Sequence, residues 1–206
     1  MRIAFFGGSF NPPHLAHRAI LAHLMARFQF DLTLVAPAYS PPHKRNLNQA
    51  SFEDRLAMTR LAFADMEGVE VSDLESRRQG PSYTVDTLAK IGQRYPDSQL
   101  YLVTGGDAYH QFCTWHRWED ILGQACLIIA RRPGYPLTGN LVLEEAAAKS
   151  GQGMILTSAP QLAISSTAIR TRLAQGDSLE GWLADAVAGY IQAKHLYQME
   201  DDHLEV

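Results

Sequence analysis

Residues 3–17, Ile3-Ala4-Phe5-Phe6-Gly7-Gly8-Ser9-Phe10-Asn11-Pro12-Pro13-His14-Leu15-Ala16-His17, run from an apolar tetrapeptide through a glycine turn into a helical pattern. Four apolar residues without polar alternation suit a strand covered on both faces, as in a parallel sheet. Beyond His14, the residues Leu15, Ala19, Ala22 and Ala26, beside Ile20, Leu24 and Phe28, recur at helical spacing. Apolar runs at 32–36, 100–103 and 126–130 read as strands too, with weaker ones at 154–157 and 69–72. Ser51 with Asp54 three residues on forms a variant capping box that opens a helix over 52–65. Further helices are expected over Thr84–Arg94, Ser166–Gln175 and 185–194, with Gly176 terminating the second of these three. Strands alternating with helices predict βαβ units, and so a doubly wound α/β sheet, mainly parallel, with helices on both faces. No repeat and no linker rich in Pro, Gly or Ser divides the chain. One domain is expected over 1–198, followed by an acidic tail at 199–206.

The composition excludes several classes. Of 206 residues, 46% are hydrophobic and 19% charged, which is ordinary for a globular protein and unlike a disordered or collagenous one. Two cysteines, Cys113 and Cys126, do not make a secreted disulfide framework, so a reducing compartment, the cytoplasm, is expected. No apolar run reaches the roughly 20 residues of a membrane helix. The N-terminal apolar run breaks at Gly7-Gly8, too early for a signal peptide. A net charge of −4 argues against a sequence-independent nucleic-acid binder. The charged runs at 144–149 and 72–78 read as solvated faces, and His23, His110, His195 and His203 as solvated or packed residues.

The glycine turn sits where an α/β protein binds its ligand, between the carboxyl end of a strand and the start of a helix. Gly7 and Gly8 let the backbone turn and approach a ligand with no Cβ in the way. Pro12 and Pro13 stiffen the approach to the helix, whose N-terminus offers N–H groups and a partial positive charge to an anion. His14 and His17, three apart, leave one face of the first turn beside that anion site and can donate hydrogen bonds to phosphoryl oxygens. Zinc ligation is the competing reading of this pair, but neither an H-x₃₋₅-H spacing nor an H-E-x-x-H motif is present. The loop is also neither G-x-G-x-x-G nor G-x-x-x-x-G-K-[ST], which disfavours dinucleotide dehydrogenases and P-loop NTPases. Near the C-terminus, Ile164-Ser165-Ser166-Thr167-Ala168-Ile169-Arg170 supplies hydroxyl donors, N-cap candidates and an Arg in the first turns of a helix. A capped helix with an exposed Arg would look the same; beside the first segment, it reads as a second phosphate site.

Together, Gly8-Ser9-Phe10-Asn11-Pro12 through His14-x-x-His17 and Ile164-Ser165-Ser166-Thr167-x-Ile169-Arg170 resemble the two signature motifs of the nucleotidylyltransferase superfamily. More narrowly, the chain resembles the bacterial nicotinate-nucleotide adenylyltransferases, which make deamido-NAD from ATP and nicotinate mononucleotide in NAD biosynthesis. The narrower likeness rests on Ser40-Pro41-Pro42-His43-Lys44, Pro81-Ser82-Tyr83-Thr84, Gly106-Asp107 with Thr114-Trp115, and Arg131-Arg132-Pro133-Gly134-Tyr135-Pro136. It implies a Rossmann-like nucleotidylyltransferase fold. It implies His14, His17, Lys44 and Arg170 as catalytic residues. Gly7, Gly8, Ser9, Phe10, Ser165, Ser166 and Thr167 would bind ATP. His43, Thr84, Asp107, Trp115, His116 and Arg132 would bind the mononucleotide, its pyridine stacked on Trp115 and its carboxylate on the backbone N–H groups of Thr84 and His116. Mg²⁺ would accompany ATP, held by phosphate oxygens and water rather than by protein ligands. Three positions depart from the family pattern: Ala16 in place of Gly, Asn11 where Asp is frequent, and His116 after the Trp. Taken without its neighbours Trp115 reads as a core anchor, and it is the match at Asp107 and Thr114-Trp115 that places it at the pyridine. Two other functions remain in view: a pantetheine-phosphate adenylyltransferase, and a non-catalytic nucleotide sensor on the same fold.

Overall fold

The computed structural model describes residues 1–40, 49–76, 80–131, 139–160 and 162–198. Six strands form one sheet: β1 (Arg2–Gly8), β2 (Leu32–Pro37), β3 (Val69–Val71), β4 (Gln99–Gly105), β5 (Cys126–Arg131) and β6 (Met154–Ser158). Their order across the sheet is β3-β2-β1-β4-β5-β6, and every neighbouring pair runs parallel. All six apolar runs, the two weak ones included, are strands. The weak runs lie at the sheet's edges, where each has one strand neighbour and needs less apolar surface.

The strands are apolar on both faces because both are covered. Leu100 and Leu102 of β4 pack with α3 (Thr84–Arg94), α4 (Gly106–Gln111), α5 (Trp118–Gln124) and α6 (Leu141–Lys149). Tyr101 and Val103 face the other way, onto α1 (Leu15–Phe28), α2 (Phe52–Phe63), α7 (Ser166–Gln175) and α8 (Asp185–Ala193). Ile3, Leu127, Ile128 and Ile129 are 0% exposed, and burying each such side chain contributes about 1.5–3 kcal/mol.

The helix starts follow local chemistry. Ser51 accepts a hydrogen bond from the Asp54 N–H at 3.0 Å, and its own hydroxyl donates to the Asp54 carboxylate at 2.6 Å. Gly176, at φ 72, closes α7 in the left-handed conformation. Helices α4, α5 and α6 carry little apolar periodicity and were not expected from the sequence. Tertiary bonds define them instead: the Tyr109 hydroxyl donates to Glu144, and Asn140 both caps α6 and donates to the Tyr109 carbonyl at 2.7 Å. The expectation of a solvated face at 72–78 is corrected within 72–76, because Ser72 and Glu75 are buried there. The run at 144–149 is solvated only in part, since Ala147 faces the core. Residues 199–206 lie outside the described residues.

Candidate active site

In this strand order the chain's direction across the sheet reverses between β1 and β4, and a crevice opens beyond their carboxyl ends. Two cavities fill it. The larger, about 610 Å³, is bordered by Gly7–Asn11, His14, Ala16, His17, Asp107, Trp115, Ser165–Thr167 and Arg170. The smaller, about 260 Å³, is bordered by Glu75, Tyr83, Thr84, Trp115 and His116. Both share Gly7, Gly8, Ser9, Thr104 and Trp115.

The two sequence segments, 154 residues apart, meet at this crevice through direct bonds. The Ser166 hydroxyl donates to the Pro12 carbonyl at 2.8 Å, and Arg170 Nη1 donates to the Asn11 carbonyl at 2.8 Å. The three hydroxyls of the second segment are engaged in the frame. Ser165 accepts from the Ala168 N–H as N-cap, Ser166 binds Pro12, and Thr167 accepts from Arg170 Nη2 at 3.3 Å. Ser166 thus spends its proton on Pro12, whereas Ser165 and Thr167 only accept and keep an O–H to donate. Helix α7 brings those hydroxyls, the N-terminus of a ten-residue helix with its partial positive charge, and the Arg170 guanidinium to the border of the larger cavity.

The start of α1 is less open than the sequence suggests, since the Leu15 N–H is taken by the Trp182 carbonyl at 3.0 Å. The imidazoles of His14 and His17 stack, with centroids 3.7 Å apart and planes 22° from parallel. The His14 backbone N–H donates to His17 Nδ1 at 3.2 Å. An Nδ1 that accepts cannot carry the proton in neutral imidazole, so His17 carries it on Nε2 and presents that nitrogen as a donor. Phe10 fixes the other side of His17. Its ring is 1% exposed and meets Phe6, Phe63 and His17 edge-on, the last at 5.0 Å. Phe10 thus borders the larger cavity while its ring is a core residue. Its backbone is left-handed, at φ 46, a conformation sustained by that packing. Gly8 is glycine for a packing reason as well as an approach: a Cβ there would lie 3.1 Å from the Phe10 ring.

Around the smaller cavity, Thr84 is the first residue of α3, whose N-cap, Tyr83, gives no side-chain bond. The Tyr83 carbonyl takes the Asp86 and Thr87 N–H groups at 3.2 Å, so the Thr84 and Val85 N–H groups form the outward end of the helix. The rings of Tyr83 and His116 lie 4.1 Å apart, 30° from parallel. Trp115 is half-buried; Phe112 backs one face of its indole at 5.0 Å. The loop after β2 is tied to this region by two bonds between Ser40 and Ser82, of 3.0 and 3.2 Å. Asp107, expected at the mononucleotide, borders the larger cavity and is the carboxylate found among its described lining residues. His43, Lys44 and Arg132 lie outside the described residues.

Sequence reasoning missed two buried charges here. Glu75 is 7% exposed, borders the smaller cavity and accepts from the Thr87 hydroxyl at 3.0 Å. Arg55 is 2% exposed beneath the loops. Neither gives a sequence signal, because a charged residue in a polar run reads as solvated.

Residues 5–172 match the cytidylyltransferase-like family model. A relative from Thermus thermophilus, named "Probable nicotinate-nucleotide adenylyltransferase", is 41% identical over 96% of this chain and 100% of its own length. One from Citrifermentans bemidjiense with the same name is 37% identical over 96% of this chain and 98% of its own. The fold is shared with a Plasmodium falciparum nicotinic acid mononucleotide adenylyltransferase complexed with NaAD, at TM-score 0.78 and 21% identity, covering 95% of this chain and 97% of that one.

Proposed function

Because this chain belongs to the nicotinate-nucleotide adenylyltransferase family, we propose that it transfers the adenylyl group of ATP to nicotinate mononucleotide, giving deamido-NAD and pyrophosphate. The observation that carries this reading is the pair of adjoining cavities sharing Gly7–Ser9 and Trp115: a larger one walled by anion donors and a smaller one with an aromatic wall and a helix N-terminus.

The reaction is in-line attack of the mononucleotide 5′-phosphate on the α-phosphorus of ATP, with pyrophosphate leaving. A phosphate monoester carries about −1.5 to −2 charges at neutral pH, so the nucleophile is already ionised and needs no general base. The site has to hold two anions in line and neutralise charge on the α-phosphate and the leaving group. In this reading His17 Nε2 donates to the α-phosphate and His14 stacks beside it. Arg170, the N-terminus of α7 and the hydroxyls of Ser165 and Thr167 take the β- and γ-phosphates, while the Ser166 hydroxyl, with Arg170 Nη1, keeps that helix against the Asn11–Pro12 turn. Lys44, His43 and Arg132 are proposed at the phosphates on family likeness alone. Mg²⁺ comes as part of the MgATP substrate and rides on phosphate oxygens and water; Asp107 as the described carboxylate lining the larger cavity fits such a carried ion better than a protein cage. We assign the enzyme to the cytoplasm, a reading supported by two free cysteines and, among the described residues, no helix long and apolar enough to cross a membrane.

Trp115 stacks the pyridine ring on the indole face opposite Phe112, and backbone N–H groups at Thr84 and His116 receive the carboxylate. Nicotinamide would turn its NH₂ toward a donor, which costs about 1–3 kcal/mol and predicts roughly 5- to 150-fold lower kcat/KM for the amide. Pyrophosphate release from ATP with nicotinate mononucleotide, nicotinamide mononucleotide and 4′-phosphopantetheine tests the assignment. Turnover is expected with the first and weakly with the second. Equal rates for acid and amide, preference for phosphopantetheine, or ATP binding without turnover would each reject it.

A further inference from the structure

Arg55 is among the largest wholly buried side chains described in the protein, yet among the described residues it has no carboxylate at ion-pair distance. Its guanidinium is spent on four backbone carbonyls. Nη1 donates to Ser9 at 2.9 Å and to Ala38 at 2.7 Å, Nη2 to Tyr39 at 3.4 Å and Nε to Ala50 at 3.2 Å. Those carbonyls belong to different walls of the crevice. Ser9 lies in the turn after β1 that borders both cavities; Ala38 and Tyr39 follow β2, and Ala38 borders the smaller cavity. A second layer of bonds continues from the same place. The Asn11 side-chain oxygen accepts from the Ala50 N–H at 3.1 Å and from the Tyr197 hydroxyl at 2.7 Å, while the Asn11 carbonyl takes Arg170. Asn11, where the family often has Asp, can accept both bonds without placing a second negative charge beside the triphosphate.

We propose that Arg55, with Asn11 and Tyr197, forms a buried strut that positions the ATP-side turn and the mononucleotide-side loop relative to each other, so that the two phosphates meet in line. Arg55 touches neither substrate; it is a positioning residue. The role needs a planar fork with donors on three nitrogens, which an ammonium does not supply. Gly7, Gly8, Thr104 and Trp115 border both cavities and make no bond to the fork, so each substrate is expected to keep most of its affinity when the fork is lost. What changes is the placement of the Ser9 turn against the Ala38–Tyr39 loop. A misplacement of about 1 Å at reacting groups costs on the order of 10²-fold in rate.

The inference rests on the adenylyl-transfer reading, and the experiment separates the two: wild-type enzyme that makes no deamido-NAD sinks the reading, whereas the variants below judge the strut. For Arg55→Lys, binary dissociation constants for MgATP and nicotinate mononucleotide are measured by calorimetry, with kcat expressed per calorimetrically competent site. The expected result is dissociation constants within about threefold of wild type and kcat lowered by roughly 10²-fold. A variant with reduced Tm but unchanged kcat per competent site, or with both affinities lost in proportion to kcat, overturns the proposal and makes Arg55 a purely structural residue. Tyr197→Phe removes a single hydroxyl from the far end and serves if Arg55→Lys does not fold. It should lower kcat several-fold at unchanged binary affinities, and unchanged kcat there overturns the strut equally.

Discussion

At His17 one hydrogen bond determines which nitrogen of the neutral ring can donate: the His14 N–H occupies Nδ1 and leaves the proton on Nε2, the donor proposed for the α-phosphate. Replacing His17 with Ala removes a preorganised donor and should lower kcat by about 10²–10³-fold, with the Kd for MgATP changed far less; near-normal turnover would reject its role. Other side chains register pH. Burial pushes the Tyr197 phenol well above its ordinary range, against the opposing pull of Arg170 and Arg55. Burial, followed by bonds to Asp54 and Glu144 respectively, raises Tyr190 and Tyr109. A raised folded-state value means that these phenols contribute stability fully below the ordinary value near 10, and lose it as pH climbs through the folded values. Urea midpoints should therefore fall steeply above pH about 10, and Tyr197→Phe should flatten that decline; an unaltered slope would contradict the shift. At this scale the sequence shows chemistry carried by a local motif and hides chemistry assembled by tertiary contacts, since His14 and Glu75 are equally buried. His14 and His17 announce themselves by a spacing of three behind a glycine turn. Arg55 and Glu75 sit in polar runs, and their burial depends on carbonyls and hydroxyls brought from distant segments.

Helix α7 is the element on which the proposed phosphate site most depends. Ser165 caps it through the Ala168 N–H at 3.1 Å, so Ser165→Ala should cost about 1 kcal/mol of stability in chemical denaturation and weaken MgATP binding. Loss of stability without any change in MgATP affinity would detach this helix end from the nucleotide. Strands β1, β2, β4 and β5 were legible because continuous apolar runs between helices have few other uses in a chain of this composition. Helices α1, α2, α3, α7 and α8 were legible from spacing and caps. Helices α4, α5 and α6 were not. They are six, seven and nine residues long, and bonds such as Asn140 to Tyr109 across 31 residues complete their framework. Local propensity carries little information about such pieces. The meeting of the glycine turn with α7 was legible only through family likeness; the contacts that make it, Ser166 to Pro12 and Arg170 to Asn11, are side chain to backbone and leave no pattern in the residues.

For the whole molecule, the parallel sheet with a helical layer on each face supplies the rigidity on which the proposed phosphate site depends. Ile128 in β5 faces the α1, α2, α7 and α8 side, and Ile129 the other. Truncating either to Ala should cost about 2–5 kcal/mol by thermal or urea unfolding, and a cost below 1 kcal/mol would mean that the layers are looser than described. The sheet order places the β1 and β4 ends side by side, and the two cavities follow from that placement, one on each side of Gly8 and Trp115. The proposed function places a dinucleotide product across both. The crystal structure of the protein with deamido-NAD measures this directly. The adenylyl half should occupy the cavity bordered by His17 and Arg170, and the pyridine ring should lie against Trp115 in the cavity bordered by Thr84 and His116. A product lying wholly within the larger cavity, with its pyridine away from Trp115, would contradict the account.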